Sequence, residues 1–492
     1  MRTTKLGRIV AASVLLLGIG NLLRAQDATP ADRPRHRRYR LIDLGTLGGA
    51  NSFVNGGPNP MMNNRGMIGG EADTAEACSY FNGAVSPAFR WDNGVLVNLG
   101  LLPGGCFSLP NSINSKGMLV GSGDIGVIDP IAGVPEIRAD FRYMGEILNL
   151  GTFGGANSLA NEINDHDQVV GGAQNTEPDP WNFGDLLGLP SSTAWHAFVW
   201  HSGVMRDLGT LGGPDSFAYL INQNGQIAGF SFTNDIANPT TGIPTADPFL
   251  WERGHMRDLG TLGGTYGVAN GLNNRGQVVG FSYLEGDLAY HAFFWDRGVL
   301  TDIGTFGGDN SVAFWINQAG QVVGDADLPD GRHHGFVWAK GKMTDIGTLG
   351  GDPCSNAVNI NAGGQVIGTT ADCHGNILHF FVWQDGSFTD LGAQVLPGSN
   401  FATVEPIVIN DVGEIVGNGT LLNGDVHAVL IKPNGDCDSD CEARIVEGQK
   451  SVTATPWKMA TTMTASREST PSSMLERLQN GMRWRYKVAG RR

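Results

Sequence analysis

The sequence predicts an all-β fold, an eight-bladed β-propeller of four-stranded blades closed by an N-terminal strand that completes the last blade. Three observations carry this expectation. Three short motifs recur eight times in a fixed order. Each repeat, 43–58 residues long, divides into four strand-length segments. The repeat region opens on a lone copy of the fourth segment and ends without one.

The first motif is [DN]-[LI]-G, usually continued as T-[LF]-G-G. It starts at Asp43, Asn98, Asn149, Asp207, Asp258, Asp302, Asp345 and Asp390. The second, I-N-x-x-G-Q-V-V-G, has its asparagine at Asn63, Asn114, Asn164, Asn222, Asn273, Asn317, Asn361 and Asn410. The third, H-A-F-x-W, ends at Trp91, Tyr143, Trp200, Trp251, Trp295, Trp338 and Trp383, with Ile431 in the eighth place.

One repeat shows the elements in order. Ser311 to Ile316 forms strand a, Gln321 to Gly324 strand b, Gly335 to Trp338 strand c, and Lys342 to Ile346 strand d. Each run is rich in β-branched or aromatic residues. Asn317-Gln318-Ala319-Gly320 is a tight turn between a and b, since Asn tolerates turn conformations and Gly supplies positive φ. Gly94, Gly203, Gly254, Gly298, Gly341 and Gly386 stand three residues after the aromatic. That spacing fits a type I turn closed by a glycine bulge between c and d. The G-G pairs carry the chain from the outer strand of one blade to the inner strand of the next. They lack the Lys-Ser/Thr and the helix of a phosphate loop. The lone strand d, Tyr39 to Gly45, is expected to pair with strand c of the last unit near His427 to Ile431.

These motifs resemble the bacterial extracellular HAF repeat family over about residues 39–432. Repeats 5 to 7 match best. Repeat 2 has Ala139 in the histidine place, and repeat 8 has Val429 and Ile431 in the aromatic places. The resemblance implies an exported bacterial propeller and implies no particular activity.

The flanks differ from the repeats. Arg2, Lys5 and Arg8 precede the apolar run Ile9 to Ile19, and Leu23-Arg24-Ala25 precedes Gln26. That reads as a signal peptide, 1–25, followed by a basic linker, 26–38. The tail, 433–492, is rich in Thr and Ser and then basic, and reads as mostly disordered. The chain has 72 glycines in 492 residues and a net charge of −15. Residues 1–40 and 450–492 each carry +7, so the body between them stands at −29. An acidic body argues against nucleic acid as a partner. With the signal removed, no apolar stretch is long enough to span a bilayer. A secreted or periplasmic, monomeric protein is expected.

Six cysteines in an exported chain suggest disulfides. In an up-and-down blade the b–c and d–a connections share one face. Cys354 with Cys373 and Cys78 with Cys106 occupy such connections, and Cys437 with Cys441 would close a small loop. The histidines of H-A-F stand eleven residues before the next aspartate: His196 and Asp207, His291 and Asp302, His334 and Asp345, His379 and Asp390. Folded about the glycine turn, each pair falls opposite or one place off. Strand c lies too far from the axis for these histidines to converge on one metal, so they read as structural pairs.

Length varies on the b–c face alone: Glu71–Ser86, Ser122–Arg138, Gly172–Trp195 and Phe230–Ala246 are enlarged. Variable connections on a rigid scaffold are where binding usually resides. The candidate ligand residues are Trp181 and Phe183, with Asp179 and Asp185 beside them. Aromatic rings suit a sugar and the carboxylates suit Ca²⁺, although no cofactor is required. Strand a carries no recurring acid, with Glu162 standing alone, so no catalytic constellation emerges. The reading is a scaffold that binds protein or glycan. A carbohydrate hydrolase or lyase at the same face and a structural envelope protein are the alternatives.

Overall fold

The computed structural model describes residues 37–436 apart from 57–58, 81–82, 130–132, 144, 182, 187–191 and 240. The signal segment, the tail from 437 onward and the pair Cys437 and Cys441 lie outside the described residues, whereas 433–436, read as the start of the tail, end the strand Val426–Asp436.

The sixth repeat shows how the motifs become strands. Ser311–Ile316, Val322–Asp327, His333–Ala339 and Lys342–Asp345 pair in that order, all antiparallel. At the a–b turn Asn317 Oδ1 accepts the N–H groups of Ala319 and Gln321, and Gly320 takes φ +82°. The strand-b glycine is set by crowding: a Cβ on Gly324 would lie 1.9 Å from the Val312 carbonyl oxygen. At the c–d turn both Lys340 and Gly341 have positive φ, 52° and 82°, and Ala339 pairs with Lys342. The hairpin is therefore a two-residue type I′ turn, and the expected glycine bulge is corrected. Its twist matches that of the strands it joins.

The same order recurs along the chain. Six four-stranded antiparallel sheets form, and an eight-stranded one joins the fourth and fifth repeats through a single parallel pair, Ala246 and Tyr266. The eighth repeat supplies Phe401–Ile409, Ile415–Leu421 and Val426–Asp436, and its fourth strand is Arg37–Asp43. Leu41 lies opposite Ile431, Ile42 opposite Leu430 and Asp43 opposite Val429. Each H-A-F phenylalanine fills the space between neighbouring sheets: Phe89, Phe198, Phe249, Phe293, Phe336 and Phe381 are all fully buried. Each contributes on the order of 1.5–3 kcal/mol.

Two polar seams join consecutive repeats. A serine opening strand a accepts the N–H of the H-A-F second residue from the repeat before. This occurs at Ser158 from Ala139, Ser216 from Ala197, Ser311 from Ala292 and Ser355 from Gly335, and at Ser52 from Ala428. The other seam runs through the a–b turns. The turn asparagine donates Nδ2–H to the carbonyl of the next repeat's asparagine, from Asn63 to Asn114 and onward to Asn361 and Asn410. Asn410 in turn donates to the Asn63 carbonyl, at 3.3 Å.

The second repeat is read one place off in the sequence. Ala139 holds the alanine place, because it makes the serine bond and Arg138 precedes it. Arg142, not Tyr143, holds the aromatic place, opposite Leu119 as Trp200 is opposite Val169. Arg142 and Asp140 form a buried ion pair at 2.6 Å, with Ser108 and the Gly100 carbonyl taking further guanidinium N–H groups. A buried charge persists only with such complete partnering.

Candidate binding face

Two of the four enlarged connections begin and end as extensions of strands b and c. In the second repeat Leu119–Ile128 and Pro135–Tyr143 extend the sheet until Ile128 pairs with Pro135. In the third, Val169–Pro178 and Thr193–His201 do the same as far as Pro178 and Thr193. Two of the three predicted disulfides are present on this face, Cys78–Cys106 and Cys354–Cys373, with Cα separations of 5.6 and 5.2 Å.

The candidate ligand residues of the third repeat are placed otherwise than expected. Phe183 opens a single helical turn, Phe183–Leu186, and is buried against Phe217, Phe230 and Phe232, with ring centroids 5.3–6.2 Å away. Asp179 is also buried, and its carboxylate accepts the N–H groups of Trp181 and Phe183. These two residues fold their own connection and are withdrawn as ligand contacts. A buried ring cannot stack on a sugar, and a carboxylate turned to backbone N–H groups is not offered to a cation. Trp181 is half-buried, and Asp185 lies on the same helical turn. Among the described residues no group of three or more His, Cys, Asp or Glu side chains could hold a metal ion.

Three of the four predicted His–Asp pairs form. His196 Nδ1 stands 2.7 Å from Asp207, His291 Nδ1 2.8 Å from Asp302 and His334 Nδ1 2.9 Å from Asp345. The aspartate lies opposite the phenylalanine, so the histidine is two places along on the same face. The fourth pair is corrected. His379 bonds to Asp352 at 2.7 Å, and Thr370 donates to the same carboxylate oxygen. Asp390 is occupied elsewhere, capping the helix Leu391–Val395 through the Ala393 N–H, because the T-L-G-G turn is absent there. A pair the spacing did not reveal is His427 with Asp43.

Several carboxyls have environments that the sequence reading did not single out. Burial pushes Asp215 up to about 8, and the neighbouring Asp179 charge adds to it. Burial alone lifts Glu162 to about 8 against the bond from the Ile221 N–H. Burial also raises Asp325 to about 7, with Asp327 contributing. Asp247 rises to about 7 through burial and then through Asp258. Asp247 was legible: it stands where five of the other repeats have histidine.

No family profile and no curated protein matches the chain. Solved structures with a similar course exist. The chain is 12% identical to the acylaminoacyl peptidase of Pyrococcus horikoshii, covering 77% of this chain and 59% of that one at a TM-score of 0.41. It is 12% identical to dipeptidyl peptidase 4 of Porphyromonas gingivalis, covering 72% and 56% at 0.42. It is 11% identical to the Trypanosoma rangeli sialidase, covering 75% and 59% at 0.30. The chain thus spans less than two thirds of the length of each.

Proposed function

We propose that the chain is a closed eight-bladed propeller, exported from the cell, that binds a protein or glycan through its b–c face. The supporting observation is the unequal length of the b–c connections, where the a–b turns of the second to eighth repeats and the c–d turns are short and alike. Val127, Ile128, Ile236, Leu288 and Leu422 are exposed on these connections, while Val95, Val204 and Val299 at the c–d hairpins and Val412 in an a–b turn are exposed on the opposite face. The opposite face is occupied with itself: its turn asparagines are spent on the seam between repeats. The two disulfides anchor the b–c face and suit an exported chain. Binding is favoured over hydrolysis because the raised carboxyls Asp215 and Glu162 are interior and hold backbone N–H groups.

The test is a glycan array and an envelope-protein capture screen with the mature chain, followed by surface variants. Charge reversal at the exposed Glu177 and Asp235, combined with Ile236→Ala, should abolish binding and leave melting unchanged. Lys340→Glu on the opposite face should leave binding intact. Equal effects from the two faces would sink the assignment. Turnover in a polysaccharide panel would replace binding with catalysis.

A further inference from the structure

The two ends of the sheets differ sharply in charge. The b–c and d–a connections, which share one end, contain thirteen Asp or Glu and a single Lys or Arg. That cation, Arg332, is held at 2.8 Å by Asp330 of its own connection. The a–b and c–d connections at the other end contain five Asp or Glu and six Lys or Arg. The formal charges are therefore −12 and +1. A face of one sign focuses its field outward and concentrates a cationic partner.

On the acidic end, carboxylates stand beside exposed apolar groups. In the fourth repeat exposed Asp235 precedes Ile236, which is 71% exposed. In the fifth, exposed Glu285 stands three residues before Leu288, which is 85% exposed. These two repeats are neighbours, joined by the strand pair of Ala246 with Tyr266. Neither connection, Thr233 to Thr245 or Glu285 to Ala289, contains a Lys or Arg. An occupant has to bring cations and apolar groups at short spacing across both.

The chain carries a segment of that kind outside the described residues. Residues 437–476 hold four Lys or Arg against six Asp or Glu, whereas 477–492 holds six Lys or Arg and no acid. Within it Arg483, Arg485 and Lys487 alternate with Trp484, Tyr486 and Val488. In an extended chain that alternation sets the cations on one side and the apolar groups on the other. Distance allows the contact. Strand Val426–Asp436 starts at the acidic end and carries the chain to the opposite one, eleven residues away, which is roughly 35 Å. The forty residues 437–476 can span several times that distance.

We infer that residues 477–492 dock on the acidic b–c face of their own chain, over the connections of the fourth and fifth repeats. The cations of Arg483, Arg485 and Lys487 meet Asp235 and Glu285, and Trp484 and Tyr486 cover Ile236 and Leu288. Tethering favours this over docking on another copy, because it sets a high effective concentration. The inference concerns the face of the binding reading but rests on its charge and not on an external ligand. Where an external ligand binds there, the segment competes with it.

The probe is a synthetic peptide of residues 477–492, titrated at about 50 mM salt into the mature chain and into a form ending at Glu476. The shortened form should bind it in the micromolar range. The full chain, its face already held, should bind it roughly tenfold more weakly or less. Raising salt to about 300 mM should weaken binding to the shortened form by roughly tenfold, because exposed charges are screened. In the shortened form Asp235→Asn combined with Glu285→Gln should weaken binding severalfold. Both side chains are exposed, so the fold does not depend on them. Asp385→Asn, in a c–d turn of the opposite end, should leave binding unchanged. Equal affinity of the two forms, or equal effects from the two ends, would overturn the inference. Self-association of the full chain that the shortened form lacks, read by light scattering, would assign the segment to a second copy and overturn it too. The titration needs no glycan or partner protein, so it and the binding reading fail separately.

Discussion

His427 and Asp43 lie 384 positions apart in the chain, yet His427 Nδ1 stands 2.9 Å from both carboxylate oxygens of Asp43. The contact repeats the one that His291 and Asp302 make across eleven residues. The first strand thus takes the place of the missing fourth strand in the last sheet, down to its side-chain pairing. Deleting residues 39–45 should remove that pairing, the buried Tyr39 and Leu44, and the ladder to Val426–Asp436. A loss of about 2–5 kcal/mol is expected. Chemical denaturation checks it; a truncated chain with an unchanged midpoint would contradict the pairing.

The local pairs set a pH dependence at the acid end. Burial tends to raise the Asp207 carboxyl, but the His196 hydrogen bond and the Gly209 N–H outweigh it and hold Asp207 low. Asp302 is lowered the same way by His291 and Gly304. A carboxyl whose folded value is depressed stabilises above its unfolded value, near 3.9, and loses that contribution as pH falls through the folded one. Asp207 is well exposed, so the pair is worth about 0.2–1 kcal/mol. Asp207→Asn should therefore melt lower than the parent at neutral pH, and the gap should close towards pH 2. A gap independent of pH would mean that the bond to Gly209 alone matters.

How much of this was legible follows from where each signal lives. Strand order, the a–b turns and both described disulfides rest on motif spacing, which survives folding because turn chemistry is local. The type of the c–d turn did not follow from its spacing, since it turns on the positive φ of Lys340 as well as of Gly341. The His379 partner was not legible. Asp390 keeps its spacing but is drawn to cap a helix that replaces the usual turn. In the second repeat the aromatic was sought by type, although Arg142 had taken the place with Asp140 as its counter-ion. The third-repeat connection was read by composition. Aromatic residues in a long connection look like a binding platform until the neighbouring sheet provides Phe217, Phe230 and Phe232 to bury one of them. The serine seam was missed because a lone serine carries no pattern unless aligned repeat by repeat.

Reduction should cost the b–c face its anchors. Cys78–Cys106 and Cys354–Cys373 close segments with sequence separations of 28 and 19. Restricting the unfolded chain over such lengths is worth about 2–4 kcal/mol per bond. Cys354→Ser, which replaces a fully buried sulfur, should lower stability by at least that much. Peptide mapping without reductant checks the bonds, and free thiols at these four positions would refute them.

The asparagine seam offers a separate measure of how the repeats cohere. Asn317 Oδ1 takes two turn N–H groups while Nδ2 reaches both Gln321 and the Asn361 carbonyl. Asn317→Ala leaves these buried groups unpartnered and should cost about 1–3 kcal/mol. Asn317→Asp retains the acceptor and loses the donor, so it should keep the turn but weaken the link to the seventh repeat. Comparing hydrogen exchange at 317–321 with that at 361–365 separates the two. Equal loosening of both segments in Asn317→Asp would argue against a directional seam.

Glu162 governs the alkaline side. It lies on the third strand a, and its Oε2 accepts the Ile221 N–H at 2.7 Å from the fourth repeat. Burial raises its carboxyl to about 8, so the folded state holds a proton that the unfolded chain releases near its ordinary value of 4.5. A group raised on folding contributes fully below the unfolded value, and that contribution is lost as pH climbs through the folded one. Each pH unit in this window costs up to about 1.4 kcal/mol. Asp215, Asp247 and Asp325 act in the same sense, so the parent should lose stability steadily from about pH 5 to about pH 8. Glu162→Gln keeps an oxygen for the Ile221 N–H and has no proton to lose. Its urea midpoint should match the parent near pH 5 and exceed it near pH 9, leaving a shallower slope set by the aspartates. If the slope is unchanged, the carboxyl is ionised in the folded state and another group governs the alkaline loss.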